Sequence, residues 1–386
     1  MLNNPIPFNK PFLSGRETEY IRQAVETGKI SGNGAFSQKC HQFFEKRYRF
    51  RMVLLTTSCT DALEMSAILI DIQPGDEVIV PSYTFVSSAN AFVLRGAKII
   101  FADSESETPN IDAGKVESLI TPKTKAIIVV HYAGIACDMD RIMGIARRRN
   151  LFVIEDAAQA IESSYKGKPL GGIGNLSAFS FHETKNVISG EGGLLVVNDE
   201  RFVKRSEIIW EKGTNRSAFF RGEVDKYNWV DIGSSFLPSE IIAAFLFAQL
   251  EHLDEIQKRR ISLWNAYYRG LKLLSDNGFI KLPFIPDYAT NNGHMFYILC
   301  RSLNERTRLI SHLKKNGIHA VFHYLPLHKS PFYAGKYNPP ELPRADYYAE
   351  HLLRLPLFYE LTLDEIGEIV QCIFQFYENE SPTDNR

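Results

Sequence analysis

The stretch around Lys185 has the residue types of a nucleophile held in a turn. Lys185 follows the strand-like run Leu176 to Phe181 and precedes the glycine-rich segment Ser189 to Gly193. A lysine amine that is buried or close to another cation has a lowered pKa, so its free amine can attack a carbonyl carbon. The same amine can then carry a proton between two carbon atoms. A lone lysine in a turn is more often a solvated side chain, so other residues must support this interpretation.

Asp156 supplies the second group of such a site. It ends the apolar run that begins at Val153, and Gln159 follows about one helical turn later. A carboxylate that faces a pyridine nitrogen keeps the ring protonated, and Gln159 could hydrogen-bond a ring hydroxyl. Asp156 is equally typical of a helix N-cap. A lysine and an aspartate are the two groups that pyridoxal phosphate most requires of a protein, so we expect this cofactor.

Hydroxyl residues at a strand-to-helix junction could bind the cofactor phosphate. In the segment Thr56 to Leu63, a predicted strand ends and small hydroxyl residues open a predicted helix. Unpaired N–H groups and the positive end of the helix dipole bind phosphate at such a junction. We expect the hydroxyls of Thr60 and of Ser180, at the end of a later strand, to contribute. An ordinary helix cap is the alternative for this junction.

An aromatic side chain after another strand could stack on a flat cofactor ring. In the segment Val80 to Asn90, Phe85 is our first choice for this contact and Tyr83 the second. Core packing is the more common use of a single aromatic residue. His182 could flank the same site. The phosphate turn, the aromatic residue, the aspartate and the lysine each follow a predicted strand, and together they support one site more strongly than any does alone.

The elements that position these residues alternate between strand and helix over the first two thirds of the chain. Runs without polar alternation are typical of strands buried on both faces, and alternation with helices predicts a mostly parallel sheet. Ligands bind at the carboxyl ends of such strands. The expected strands are Met52–Thr56, Glu77–Val80, Ala97–Phe101, Ala126–Val130, Phe152–Glu155, Ala178–Phe181 and Gly193–Val197. The expected helices between them include Asp61–Ile70, Ser87–Arg95 and Met139–Arg149.

The pattern changes after about residue 250. A long charged helix is expected from Leu250 to Leu274, then strands at His294–Cys300 and His319–His323, and a final helix near Leu363–Tyr377. We therefore predict an α/β protein with a large domain over residues 1–250, which would bind the cofactor, and a smaller α/β domain over 251–386.

Composition excludes several classes of function. The 386 residues are 45% hydrophobic and carry a formal net charge of −1, so no global field favours nucleic acid. The five cysteines are scattered without a CxxC pair, which argues against a disulfide framework or a zinc site. We find neither a signal peptide nor an apolar run long enough to cross a membrane. We expect a cytoplasmic protein without a metal, a nucleic-acid partner or a membrane partner.

The motifs together resemble the DegT/DnrJ/EryC1/StrS family of sugar aminotransferases over nearly the whole chain. The matching segments are 58–63, 75–79, 81–85, 155–159, 180–186 and 191–193. The resemblance implies a pyridoxal phosphate enzyme of the aspartate aminotransferase-like fold, known as fold type I. It implies that Lys185 carries the cofactor, Asp156 holds its ring nitrogen and Gln159 lies beside its hydroxyl. Phosphate contacts would come from Ser180, Thr60 and the backbone of Cys59 and Asp61, and Phe85 would stack.

The resemblance also implies a homodimer, because sites in this family form between subunits. Many members use an Asn in a Gly-x-Asn-x-Arg-like stretch to reach the phosphate of the neighbouring subunit. Here that stretch begins Gly233-Ser234-Ser235, and Ser235 is the expected substitute. Its side chain is shorter than that of Asn.

Three further segments, 211–217, 231–235 and 321–328, are most similar to members that make a sugar of enterobacterial common antigen. The implied reaction moves the amine of L-glutamate to C4 of dTDP-4-dehydro-6-deoxy-D-glucose. Its products are dTDP-4-amino-4,6-dideoxy-D-galactose and 2-oxoglutarate. The expected contacts to the substrate are His182, Lys212, Arg216, His323, Tyr324 and His328, although each also fits ordinary surface or interface polarity.

Other functions stay open at this point. The chain could aminate another 3-keto or 4-keto nucleotide sugar, or be a regulatory paralogue without activity. A related sugar 3-dehydratase would carry histidine where this chain has Lys185. A dinucleotide-dependent oxidoreductase is disfavoured because no GxGxxG motif follows the early strands.

Overall fold

A seven-stranded sheet forms the centre of the protein. The computed structural model describes residues 5–338 and 340–379. The strands are β1 (Val53–Thr56), β2 (Glu77–Pro81), β3 (Lys98–Ala102), β4 (Thr124–Val130), β5 (Phe152–Asp156), β6 (Ser164–Tyr165), β7 (Lys168–Pro169), β8 (Leu176–Ser180), β9 (Gly193–Val197), β10 (Phe296–Leu299) and β11 (Leu352–Leu355). The large sheet has the order β1-β9-β8-β5-β4-β2-β3, and only β9 runs antiparallel to its neighbours.

Helices cover this sheet and form much of the C-terminal part. They are α1 (Glu17–Glu26), α2 (Ala35–Tyr48), α3 (Cys59–Leu69), α4 (Ser87–Val93), α5 (Met139–Arg149), α6 (Val203–Trp210), α7 (Arg216–Phe220), α8 (Glu240–Leu250), α9 (Leu253–Asp276), α10 (Leu303–Lys315), α11 (Pro331–Ala334), α12 (Pro343–His351) and α13 (Leu363–Glu378). Within the described ranges, no helix combines the length and the apolar character needed to cross a bilayer.

The mostly parallel α/β fold expected from the sequence is confirmed. Each expected strand of the large sheet lies within two residues of an observed one. The strand expected at His319–His323 is wrong. In that part of the chain Ile318 pairs with Ile6 and Val321 pairs with Arg354, so two different partners interrupt what would be one ladder.

Helix α2 was not expected, because its cap comes from a distant part of the chain. Its N-cap residue, Gly34, has no side chain that could accept a hydrogen bond. The buried carboxylate of Glu240 accepts hydrogen bonds from the amides of Gly34 (2.8 Å) and Phe36 (2.7 Å) instead. A tertiary cap of this kind leaves no local signal in the sequence.

The apolar core forms two clusters that draw on the large sheet and a third around α9, β10 and α13. One sheet cluster also includes Tyr297 and Tyr348 from the C-terminal third, and the third cluster includes Ile6 from the N-terminal segment. The division into domains of 1–250 and 251–386 stays a prediction.

Glu155 fixes the end of β5 through four hydrogen bonds. Its buried carboxylate accepts the amides of Gly171 (2.8 Å), Ile173 (2.8 Å) and Gly174 (2.6 Å), and His131 Nε2 lies 3.0 Å away. The amide of Cys137 donates to His131 Nδ1 (3.2 Å), so Nε2 carries the proton and donates to Glu155. Burial alone would raise the pKa of Glu155, but the bonds from His131 and the loop amides outweigh it and lower the pKa.

We expect Glu155→Gln to lower the free energy of unfolding by about 3 kcal/mol. The side-chain NH₂ of glutamine would face the loop amides or His131, which now donate to a carboxylate oxygen. The lowered pKa means that the carboxylate contributes its full stability above the ordinary value of about 4.3 and loses it as the pH falls below that. Urea unfolding at fixed protein concentration between pH 3 and 8 measures both effects. Exposed Glu107→Gln is the control. A pH-independent difference from the wild type would contradict this account.

Candidate active site

A cavity of about 810 Å³ opens at the carboxyl ends of the parallel strands. The ends of β5 and β8, the first turn of α3 and part of β11 form its walls. The sequence-predicted residues that line it are Cys59, Thr60, Phe85, Asp156, Gln159, Ser180, His182, Lys185, His323 and Tyr324. The topology therefore brings most of the predicted site into one place.

Lys185 lies in the turn between β8 and β9 and faces this cavity. Its amide donates to the carbonyl of His182 (2.9 Å), which holds the turn. Burial is the main cause that lowers the pKa of the Lys185 amine, and the charge of Arg354 lowers it further. Asp156 and Cys59 oppose this shift without cancelling it. The amine therefore loses its proton more readily than a surface lysine does, as a nucleophile requires.

Asp156 ends β5 and is held in a fixed orientation. Ser88 Oγ donates to its Oδ2 (2.6 Å), and the amide of Ala158 donates to its Oδ1 (3.1 Å). The carboxylate is buried, yet it lines the cavity. Each carboxylate oxygen accepts more than one hydrogen bond, so a further N–H from a ring in the cavity can be satisfied.

The first turn of α3 presents its amide end to the cavity. Ser58 caps the helix by accepting the amide of Asp61 (3.1 Å), and Cys59 and Thr60 line the wall. Thr60 Oγ1 lies 2.8 Å from Ser87 Oγ. A Cβ on Gly193 would meet the carbonyl carbon and oxygen of Ser58 at 2.4 Å, so only glycine lets β9 approach this turn.

The two aromatic candidates have different surroundings. Phe85 lines the cavity with 55% of its surface exposed, whereas Tyr83 is 1% exposed and packs on Tyr132 with ring centroids 5.6 Å apart. A flat ring bound in the cavity could therefore cover Phe85. The preference for Phe85 over Tyr83 agrees with this placement, and its stacking role stays a prediction.

Gln159, Tyr324 and His323 form a linked group on another wall. Gln159 accepts the amide of Ala133 through Oε1 (2.6 Å) and donates through Nε2 to the Tyr324 hydroxyl (3.0 Å). His323 stacks on Tyr324 with centroids 3.5 Å apart, and its Nδ1 lies 2.6 Å from the Tyr132 hydroxyl. Burial keeps the pKa of His323 well below its ordinary value, so the ring is neutral near pH 7.

Five predicted residues are not part of the cavity lining. The Asp61 carboxylate accepts the Thr57 hydroxyl, and His328 is buried behind β2 with Nδ1 2.7 Å from Ser82 Oγ. Lys212, Arg216 and Ser235 lie in or beside the segment between α6 and α8, which is exposed over much of its length. The structure does not bring these residues to the cavity of their own chain, and their roles stay predictions.

The structure adds residues that the sequence analysis missed. Ser88 donates a hydrogen bond to Asp156. The position of Ser88 in the first turn of a predicted helix was only a weak indication of this role. His294 lines the cavity, with Nδ1 2.9 Å from the side-chain oxygen of Asn186, the neighbour of Lys185. Arg354 also lines it. A charged residue inside the buried apolar run Leu352-Leu353-Arg354-Leu355 was a signal that could have been used.

These features fit pyridoxal phosphate. The amide end of α3 with Thr60, Ser87 and Ser180 suits a phosphate, and Asp156 suits a protonated ring nitrogen. Burial raises the pKa of the Cys59 thiol well above its ordinary value, so Cys59 stays protonated and leaves Lys185 as the nucleophile. No group of three or more His, Cys, Asp or Glu side chains suited to a metal ion occurs in the described part of the chain.

Known proteins of similar sequence are sugar-modifying enzymes. A profile of the DegT/DnrJ/EryC1/StrS aminotransferase family matches residues 12–374. GDP-perosamine synthase of Escherichia coli O157:H7 is 34% identical over 378 residues, which cover 97% of this chain and 99% of that protein. The spore coat polysaccharide biosynthesis protein SpsC of Bacillus subtilis is 31% identical over 380 residues, with 96% and 97% covered.

A solved structure agrees with this likeness. The PLP form of the putative sugar aminotransferase Spr1654 from Streptococcus pneumoniae matches with a TM-score of 0.89 and 26% identity, over 97% of this chain and 99% of that one. The transaminase activity and the pyridoxal phosphate cofactor expected from the sequence are thereby confirmed. The chain belongs to the DegT/DnrJ/EryC1/StrS aminotransferase family.

Proposed function

We propose that this aminotransferase moves the amine of L-glutamate to C4 of dTDP-4-dehydro-6-deoxy-D-glucose. The products are dTDP-4-amino-4,6-dideoxy-D-galactose and 2-oxoglutarate, so an amino and an oxo group exchange places. One observation supports the chemistry: Lys185, Asp156 and the amide end of α3 line the same cavity. The likeness of segments 211–217, 231–235 and 321–328 supports the choice of sugar.

Lys185 holds the cofactor and moves the proton. When bound, pyridoxal phosphate supplies an electron sink for the carbon that bears the amine. The lowered pKa of Lys185 keeps a fraction of its amine free, so the amine can accept a proton from that carbon and return it elsewhere. Its position in a turn tied to His182 directs the amine into the cavity.

Asp156 sets the protonation of the ring. A fixed carboxylate beside the ring nitrogen favours the charged ring, and Ser88 and the Ala158 amide prevent the carboxylate from turning away. Gln159 is restrained by Ala133 and Tyr324 on the opposite side, where it can meet the ring hydroxyl.

The sugar would occupy the remaining space of the cavity. His182, His323 and Tyr324 line that space and offer hydrogen-bonding groups that suit sugar hydroxyls. Lys212 and Arg216 are basic residues outside this chain's cavity, and we propose that they and Ser235 act from a neighbouring subunit. His328, which is buried against Ser82, would act only by supporting the segment that carries Tyr324.

A homodimer is part of the proposal. Helix α7 and the segment after it expose large apolar side chains, with Trp229 at 81%, Phe220 at 69% and Val230 at 51% exposure; we call these residues the apolar patch. Exposed large apolar side chains, close together in the sequence, are typical of a protein interface. Ser235 is exposed close to this patch, as a residue that completes a partner's phosphate site must be.

Free cysteines agree with a reducing compartment, and we propose a cytoplasmic location. A role in enterobacterial common antigen or another surface polysaccharide would follow from the proposed sugar product.

The nucleotide and the keto position are tested by an amination assay. Purified, cofactor-loaded protein is given L-glutamate and each of a set of 3-keto and 4-keto sugars carried on dTDP, UDP or GDP. We expect turnover to be fastest with dTDP-4-dehydro-6-deoxy-D-glucose, and NMR of the product should show the galacto configuration. Faster turnover of a GDP-linked or 3-keto sugar would replace the proposed substrate while leaving the transaminase chemistry intact.

We expect Lys185→Ala to lower the transamination rate by more than about 10³-fold, because both cofactor attachment and proton transfer are lost. Borohydride treatment of wild-type protein should add the cofactor mass to the peptide that contains Lys185, as seen by mass spectrometry. Lys168→Ala, an exposed lysine on β7, is the matched control. Wild-type turnover by Lys185→Ala would refute the assignment.

We expect Asp156→Asn to lower the rate by about 10²- to 10³-fold with only a modest loss of bound cofactor, because the ring nitrogen loses its charged partner. Rate and cofactor content are measured on the same preparation, the second by absorbance. An unchanged rate would show that Asp156 has no electronic effect on the ring. A loss of bound cofactor as large as the loss of rate would show that Asp156 only helps to bind the cofactor.

We expect Trp229→Asp to weaken the dimer by about 100-fold in dissociation constant, since large buried aromatic residues dominate interfaces. Sedimentation velocity over a range of concentrations measures this constant. Leu273→Asp changes an apolar side chain of 59% exposure on α9 and should leave the dimer intact. A wild-type monomer, or a variant that dimerises normally, would contradict the proposed interface.

A further inference from the structure

His294 is a cavity-lining histidine whose backbone is held from two sides. It lies just before β10 and is buried, with 8% of its surface exposed. Its amide donates to Asn292 Oδ1 (3.0 Å), and its carbonyl accepts Arg260 Nη2 (2.7 Å). Arg260 also donates through Nε to the carbonyl of Gly293 (3.0 Å), so α9 is tied to this turn. The imidazole therefore extends from a fixed backbone.

Two side-chain amides decide which nitrogen of the His294 ring carries the proton. Gln257 Nε2 donates to the carbonyl of Asn292 (2.7 Å), which leaves Gln257 Oε1 as an acceptor. Asn186 Nδ2 donates to that Oε1 (3.3 Å) and to the same carbonyl (3.0 Å). Asn186 therefore presents its Oδ1 to His294 Nδ1, 2.9 Å away. Because an amide oxygen only accepts, Nδ1 carries the hydrogen and donates it.

The other ring nitrogen offers a lone pair to the cavity. Burial is the main cause that lowers the pKa of His294 well below its ordinary value, so the ring is neutral near pH 7. A neutral ring with its hydrogen on Nδ1 has a bare Nε2. Within the described part of the chain Nε2 has no hydrogen-bond partner, and it is open to the solvent of the cavity that His294 lines. His294 is thus a fixed hydrogen-bond acceptor in the cavity wall.

A bare nitrogen restricts the groups that can bind against it. It accepts a hydrogen from a hydroxyl or an amine, and it repels a carboxylate or a diphosphate, whose oxygens present lone pairs near pH 7. L-Glutamate brings two carboxylates and the one amine that is given to the cofactor. A nucleotide sugar brings a diphosphate and several hydroxyls. The hydroxyls of the sugar are therefore the groups that suit Nε2.

We propose that His294 Nε2 accepts a hydrogen bond from the sugar hydroxyl next to the reacting carbon. Asn186, which holds the ring, is the neighbour of Lys185, and Lys185 and His294 line the same cavity. A keto carbon beside Lys185 brings its adjacent hydroxyl closest to this wall. In the proposed sugar that hydroxyl is on C3, because C5 carries only the ring oxygen and C6. The assignment rests on the proposed function, since it requires a keto sugar in the cavity.

The tautomer is tested by NMR of protein that contains ¹⁵N-labelled histidine. His294→Asn identifies the signals of His294 by their loss. In cofactor-loaded wild type near pH 7 we expect a protonated Nδ1 and an unprotonated Nε2, and we expect the Nε2 signal to shift when the keto sugar binds. A protonated Nε2 overturns the inference, and so does a signal that the sugar leaves unchanged.

Two substitutions separate the hydrogen bond to Asn186 from the lone pair in the cavity. His294→Asn places an NH₂ near the position of Nδ1 and removes the acceptor at Nε2, whereas His294→Gln places an amide oxygen near Nε2. We expect His294→Asn to lower kcat/KM for the keto sugar by about 10- to 100-fold and that for L-glutamate by less than about threefold. His294→Gln should recover part of the loss. His319→Asn, at an exposed histidine, is the matched control and should change neither value.

A sugar without the C3 hydroxyl completes the test. Wild-type protein should turn over this 3-deoxy sugar about 10- to 100-fold more slowly, and His294→Asn should add little further loss, because both changes remove one hydrogen bond. Losses that multiply in full overturn the inference, and so does an equal loss with L-glutamate. If a different keto sugar is turned over fastest, the same comparison uses that sugar and its deoxy forms. Non-multiplying losses there would replace the proposed substrate and leave the His294 contact standing.

Discussion

The carboxylate of Glu155 is the constraint on which the site depends. It gathers the amides of the 171–174 loop and the imidazole of His131 at the end of β5, all of them buried. Side chains alternate along a strand, so fixing Glu155 on one face of the sheet fixes Asp156 on the other. The same loop leads directly into β8, the strand after which Lys185 follows. One buried structural carboxylate therefore helps to position both groups that are proposed to act on the cofactor.

The electrostatics of the cavity follow from what burial does to each group. Water exclusion lowers the pKa of Lys185, His294 and His323 and raises the pKa of Cys59, so each of these groups moves toward its neutral form. Asp156 keeps hydrogen-bond donors on both oxygens, which stabilise its charge. Arg354 and the exposed Glu191 also line the cavity, and a guanidinium among groups that are mostly neutral suits a cofactor that carries negative charge.

Sequence reasoning works where a residue's role is local. Apolar runs located every strand of the large sheet, and polar residues directly after those runs, such as Asp156 and Lys185, were placed at its carboxyl edge. It fails where the partner is distant in the chain. Glu240 caps α2 from beyond residue 200, and Tyr324 reaches Gln159 across 165 positions. Arg354 was missed although a charged residue inside an apolar run is a local signal, because the run does not show which cavity it borders. The strand expected at His319–His323 was wrong because this part of the chain changes its partner: Ile318 pairs with Ile6, and Val321 pairs with Arg354.

The groups that would select substrates lie on a short ladder outside the large sheet, and the Tyr324–Gln159 hydrogen bond joins this ladder to the end of β5. Ile6 pairs with Ile318, Val321 pairs with Arg354, and Phe8 lies against the guanidinium. His323 and Tyr324 follow within three residues of that ladder. Lys185, Asp156 and the phosphate turn lie at strand ends of the large sheet, so a change in the ladder would reach them less directly than it would reach His323 and Tyr324. Because one backbone pair joins Arg354 to the segment of Tyr324, a shift of that segment that widened the cavity would also move Arg354 on the neighbouring strand.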